Sequence, residues 1–178
     1  MQPSLLIASP QMRDPFFERA VVLVWHHDED GALGVVVNRY LKQRLPDVLE
    51  VGESIELEAY GDVPVAWGGP VESRSGTVVT SGRLMGDEGV ALPSGLAVTH
   101  SQDALLRLLA ERAPLMLCLG YAGWGAGQLD KEIEAGGWLW TDCDAHIVFD
   151  TPPEERYDKA LASLGLTAGL VWMQPVSE

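Results

Sequence analysis

The segment Gly120-Tyr-Ala-Gly-Trp-Gly-Ala-Gly127-Gln128-Leu129-Asp130 holds the residues best suited to chemistry. Glycines let a backbone turn sharply and leave its amides uncovered, and a helix N-terminus attracts anions. Together these make the geometry that cradles phosphate. The spacing, however, is neither the dinucleotide fingerprint nor a P-loop, and no Lys-Ser/Thr pair follows. A tight strand-to-helix turn over Gly120–Gly127 is therefore the preferred reading. A ligand or partner contact comes second, and a phosphate-binding catalytic loop third.

Other constellations are weaker. His26-His27 precede Asp28-Glu29-Asp30, but neighbouring residues on a strand point to opposite faces, so the two imidazoles do not share one ion. No metal site is expected, and no cofactor. His100 and His146 have no identifiable nucleophile or carboxylate partner. Gly-x-Ser-x-Gly does not occur, and Cys118 falls inside a strand expected to be buried. Asp130 and Glu134 stand one turn apart on a helix, as carboxylates on solvated faces commonly do. Gly68-Gly69-Pro70-Val71 reads as a rigid turn poor in donors. Asn38-Arg39 could meet a ligand, although capping of a strand end is the preferred account.

These residues need elements to position them. Strands are expected at Leu5–Ser9, Ala20–His26 and Ala32–Asn38, the last two joined as a hairpin by a loop of four or five residues around Asp28–Gly31. Further strands are expected at Val63–Trp67, Thr77–Ser81, Leu96–Thr99, Leu115–Leu119, Trp138–Trp140 and His146–Phe149. A short helix with Pro46 near its start covers 45–50, and Glu53–Asp62 reads as acidic and irregular. Ser101 caps a helix carrying Ala104, Leu105, Leu108 and Leu109 on one face. Gln128–Ala135 is a second long helix, closed by Gly136-Gly137. Thr151-Pro-Pro-Glu154 has capping-box form, ahead of a last helix whose inner face is Tyr157, Ala160, Leu161 and Leu164. Strands and helices do not alternate, so an α+β fold is expected rather than a doubly wound parallel sheet.

Composition narrows function further. The 178 residues suit one domain, taken as 1–178, with a hydrophobic share of 47% and a mean hydropathy of +0.06. The apolar runs are strand-length and no membrane span is expected. The first residues lack the basic and apolar regions of a signal peptide, so a cytoplasmic location is expected. Cys118 and Cys143, far apart, are expected free and buried. The formal charge of −14, from 26 acids against 12 bases, disfavours direct nucleic-acid binding. It suits solubility and attraction to a basic protein partner.

Several blocks form a recognisable series: Leu5-Leu6-Ile7-Ala8-Ser9-Pro10 with Asp14-Pro15-Phe16, Gly31–Arg39, Trp67–Val71, Gly120–Trp124, Gly127-Gln128-Leu129 and Glu132-Ile133. With Trp138-Leu139, Phe149-Asp150 and Ala160-Leu161-x-x-Leu164-Gly165, the chain resembles the AlgH/YqgE family of bacterial proteins over nearly its whole length. The resemblance implies a single-domain α+β fold with a mixed, largely antiparallel bent sheet approaching a pseudo-barrel and about three to four flanking helices. Members have carried the label of transcriptional regulator, but no defined activity or catalytic residues accompany it. The chain departs from the pattern at Asp130, where glutamate is usual. It does so again at Tyr40 for proline, at Thr80 for histidine, and at its ending Met173–Glu178, which lacks Gly-His-Ala.

The leading expectation is a non-enzymatic binding or regulatory protein, acting on a protein partner or small ligand through a surface formed by Asn38, Gly69, Pro70, Tyr121, Gly123, Trp124 and Gln128. The alternative is an enzyme with Asp130 or Glu132 as general base and the Gly123–Gly127 amides stabilising an anion. A concave pocket between Asn38, the Gly68–Pro70 turn and Gly120–Gln128 would favour the site.

Overall fold

A computed structural model describes residues 2–52 and 55–167. Its nine strands are β1 (Ser4–Ala8), β2 (Val21–Asp28), β3 (Gly31–Val36), β4 (Val65–Trp67), β5 (Val71–Thr80), β6 (Gly89–Ala91), β7 (Ala97–Thr99), β8 (Leu115–Gly125) and β9 (Trp138–Asp142). They form one sheet in the order β6-β7-β5-β8-β3-β2-β1-β9, with β4 also paired to β8. The β4–β8 pair is parallel and the others are antiparallel. The sheet is thus mixed and largely antiparallel, curled into a half-barrel. Among the described residues five helices flank it: α1 (Leu45–Val48), α2 (Gln102–Ala110), α3 (Gln128–Glu134), α4 (Ala145–Phe149) and α5 (Arg156–Ser163).

Burial explains the valine- and leucine-rich runs. Leu5–Ala8 and Val21–Val24 are fully buried, so both faces of β1 and of the first half of β2 are covered. Beyond Trp25, where the register with β3 shifts, β2 alternates between covered and exposed side chains. The hairpin is tighter than expected. Asp28 pairs with Gly31, leaving only Glu29 and Asp30 in the loop. The Asp28 carboxylate accepts the Asp30 N–H at 2.8 Å, an Asx turn that holds this short connection.

Helix α2 forms as expected, with Ser101 Oγ accepting the Ala104 N–H at 3.1 Å and Ala104, Leu105, Leu108 and Leu109 buried. Four expectations are corrected. Gly120–Gly127 is not one turn: β8 continues to Gly125, and only Ala126 and Gly127 turn before α3. The partners that hold it extended are Val71 of β5 and residues 31–34 of β3, remote in sequence. His146–Phe149 is helical, not a strand, because Asp144 caps it by accepting the His146 N–H at 2.9 Å. That cap outweighs the strand preference of Ile147-Val148. The capping box at Thr151 does not form either. Thr151 Oγ1 donates to the His146 carbonyl, and a 3-10 turn at Pro153–Glu155 precedes α5. Tyr157, Ala160 and Leu161 face inward, whereas Leu164 lies past the helix and is exposed.

Candidate functional site

The connection from β1 to β2, residues 9–20, runs over the surface and is pinned from the end of β3. Asn38 Oδ1 accepts the Val21 N–H at 2.9 Å, and its Nδ2 donates to the Arg19 carbonyl at 2.9 Å. The Arg39 guanidinium donates to the carbonyls of Phe16 and Glu18 and lies 5.2 Å over the Trp67 ring. Burial pulls the Arg39 pKa below its ordinary value, opposed by the charges of Glu18 and Asp14. Asn38 and Arg39 therefore serve as clamps on a loop some twenty residues away, not as local caps of their own strand end.

The clamps present two adjacent aromatics differently. Phe16 stacks on Trp67, centroids 6.1 Å apart at 13°, yet stays 51% exposed. Phe17 turns inward, stacked on Trp124 at 6.3 Å and edge-on to Trp138 at 5.6 Å. Trp124 and Trp138 meet edge to face at 6.1 Å. The Glu132 carboxylate lies near Trp124, and one of its oxygens is buried without a partner. Burial pushes the Glu132 pKa above the ordinary carboxylate value and the nearby Asp14 charge adds to this, while the Trp124 side chain opposes it.

Across β8 the glycines serve close backbone crossing. Gly69 has φ +156° and Gly120 φ +76°; a Cβ at Gly120 would stand 2.3 Å from the Gly69 carbonyl oxygen. No side chain fits between the β4–β5 connection and β8, which is why this turn is glycine-rich. The Tyr121 ring lies against Gly123, its Cε2 3.6 Å from where a Cβ would be. Gln128 Oε1 accepts the Gly125 N–H at 3.0 Å and closes the passage from β8 to α3.

The residues anticipated for a contact surface thus separate. Pro70, Gly123 and Gln128 are exposed and Tyr121 is half-buried, while Trp124 and Gly69 are buried and Asn38 is engaged by backbone. Clefts lined by Ile55, Tyr60, Leu106 and Leu109, and by Thr151, Pro152, Asp158 and Lys159, lie away from them. A shallow cleft beside His26, Asp28 and Leu33 meets β8 only at Trp124. Phe16, Phe17 and Trp67 are what the reading of the sequence did not bring together. Its available signal was a pair of phenylalanines inside a polar connection.

The carboxylates of the alternative reading diverge. Glu132 turns to Trp124, while Asp130 lies 3.4 Å from His27 Nε2. The His27 side chain is only 5% exposed and its Nδ1 is buried without a partner; His26 faces solvent and pairs with Asp28 at 2.9 Å. Among the described residues, no group of three His, Cys, Asp or Glu is placed to hold a metal ion.

The family model described as AlgH-like matches residues 5–169. The chain belongs to the AlgH-like family. A UPF0301 protein of Dechloromonas aromatica is 38% identical over 167 residues, covering 92% of this chain and 90% of the relative. One from Photobacterium profundum is 40% identical over 174 residues, covering 90% of each. The solution structure of the AlgH protein from Pseudomonas aeruginosa matches with a TM-score of 0.78 at 36% identity, over 99% of this chain and 95% of that one. A crystal structure of a protein from Corynebacterium diphtheriae shares the fold, with a TM-score of 0.74 at 20% identity, over 96% of this chain and 90% of that one.

Where this member of the AlgH-like family departs from the pattern, the replacements are built in. Thr80 is fully buried, donating to the Pro114 carbonyl at 2.6 Å and accepting the Gly82 N–H at 2.8 Å. Tyr40 carries the Arg156 guanidinium 5.1 Å from its ring. The Met173–Glu178 ending lies outside the described residues. Among the described residues, no helix is long and apolar enough to cross a membrane.

Proposed function

We propose that this AlgH-like chain is a non-enzymatic binding protein of the cytoplasm, whose contact surface centres on Phe16. The observation that carries this reading is an exposed phenylalanine on a clamped backbone. Two carbonyl contacts from Arg39 and stacking on Trp67 hold its ring half in water. Ordering a large apolar group while leaving it wet offsets stability unless a partner covers it. Pro70, Tyr121 and Gly123 extend the surface beyond the loop, and a regulatory role would follow from what binds there. The free, buried Cys118 and Cys143 support a reducing compartment.

The test is a pull-down and a ligand-induced melting screen on wild type beside Phe16→Ala. Because the ring is half exposed, the variant should keep its stability to within about 1 kcal/mol. It should lose the captured partner or the thermal shift. Equal capture by the folded variant would remove this surface. The enzyme reading now favours Glu132 over Asp130, on its raised pKa and single unpartnered oxygen. It predicts a turnover that Glu132→Gln abolishes.

A further inference from the structure

Strand β9 is the last in the sheet, and among the described residues it pairs only with β1. The Ser9 N–H donates to the Gly137 carbonyl at 3.0 Å, and Ile7 faces Leu139. Backbone groups alternate sides along a strand, so those of Trp140 and Asp142 point away from β1, towards the open edge. Natural edges are commonly protected by lysine, proline or a bulge. Trp138–Asp142 has none of these, and it carries Trp140 at 48% exposure.

Charge says what suits this edge. Between residues 132 and 155 the chain has seven acids and no lysine or arginine. Trp140 and Asp142, two apart on the strand, share one face, so an aromatic ring and an exposed carboxylate stand side by side. A second copy of this chain would bring Asp142 and its acidic flanks against themselves, on a protein of net charge −14. A lysine or arginine on an added strand would instead meet both the Trp140 ring and the Asp142 carboxylate.

We propose that β9 is an acceptor edge for an extended segment of a partner protein bearing alternating lysine or arginine. The segment pairs with the outward backbone groups of Trp140 and Asp142 and lays its basic side chains along their shared face. Backbone pairing supplies affinity, and the alternate basic positions supply selection.

The probe is a short peptide alternating lysine with valine, compared with one alternating glutamate with valine, each titrated into the full chain and followed by amide NMR and hydrogen exchange. The lysine peptide should shift the Trp140 and Asp142 amides most and slow their exchange, while the glutamate peptide does neither. Trp140→Pro removes an outward N–H that β1 does not use, and should weaken binding by about tenfold or more. Asp142→Lys should weaken it by at least about threefold. Phe16→Ala should leave it unchanged, which separates this edge from the Phe16 surface. Shifts centred on the Asp28–Asp30 hairpin, equal binding of the glutamate peptide, or full affinity of folded Asp142→Lys would each overturn the proposal. So would edge amides already protected in the free protein, whether by residues 168–178 or by a second copy.

Discussion

Gly69 crosses Tyr121 so closely that a Cβ on Gly69 would stand 2.1 Å from the Tyr121 carbonyl carbon and 2.2 Å from its oxygen. Both atoms belong to β8, the strand shared by β3, β4 and β5, and none of them can rotate aside. The crossing sets Pro70 next to the pairing of Val71 in β5 with Tyr121 in β8.

Gly69→Ala should therefore destabilise the fold by about 3 kcal/mol or more, combining a backbone clash with a left-handed φ of +156°. In a chain of this size that corresponds to a melting temperature lower by roughly 6–12 °C. Circular-dichroism melting would read it, and a loss of only a degree or two would show that β8 can yield.

Asn38→Ala should cost about 2 kcal/mol, since it strands the Val21 N–H and the Arg19 carbonyl together. Asn38→Asp keeps an acceptor for Val21 but sets a carboxylate against the Arg19 carbonyl, so it should not rescue. Hydrogen exchange should speed up from Asp14 to Arg19 in both variants. Unchanged exchange there would mean that Arg39 alone holds the loop.

The pH dependence of stability should carry the mark of Glu132. Its pKa is raised in the fold, so from the ordinary carboxylate value up to the folded one the native chain holds the extra proton. Unfolding free energy falls as pH rises through that window. Asp28 and Glu88 are held low, chiefly by the Asp30 and Met85 amides, and act oppositely. Their contribution is present above the unfolded value and is lost as pH falls through the folded one. Glu132→Gln should thus gain on wild type as pH rises from acidic to neutral, measured by urea unfolding at each pH. Parallel curves would remove the assignment.

Neither thiol should react in the native protein. Burial pushes Cys118 up to about 12 and Cys143 up to about 11, and both are inaccessible thiols rather than nucleophiles. A disulfide reagent at neutral pH should modify both only after denaturant is added. Rapid labelling of the folded chain would reopen a cysteine mechanism.

Some of this architecture was legible from local signals. Ser101 with the stripe Ala104, Leu105, Leu108 and Leu109 specifies a cap and a buried face within a few residues, and α2 forms there. The unbroken apolar runs in Ala20–His26 and Ala32–Asn38 marked hairpin strands covered on both sides, and Val21–Val24 and Val35–Val37 are fully buried. The three-residue β6 carried no such run, and it exists because β7 pairs with it. At His146–Phe149 the two kinds of local signal conflicted, and the Asp144 cap prevailed over two β-branched residues.

What the sequence determined by itself was the α+β class and the acidic character, because periodicity, caps and composition act over a turn or two of chain, while the family followed from motif blocks spread along the whole chain. Tertiary structure alone decided the standing of Gly120–Gly127. Its glycines read as a turn because glycine is locally permissive, yet they lie in β8, where Gly120 meets Gly69 and Gly125 pairs with Gly31. It likewise decided that Phe16 faces water while Phe17 and Trp124 are covered. That choice rests on Asn38 and Arg39 reaching back some twenty residues to the loop. Contacts at such separation depend on which strands pair, and no local pattern encodes that.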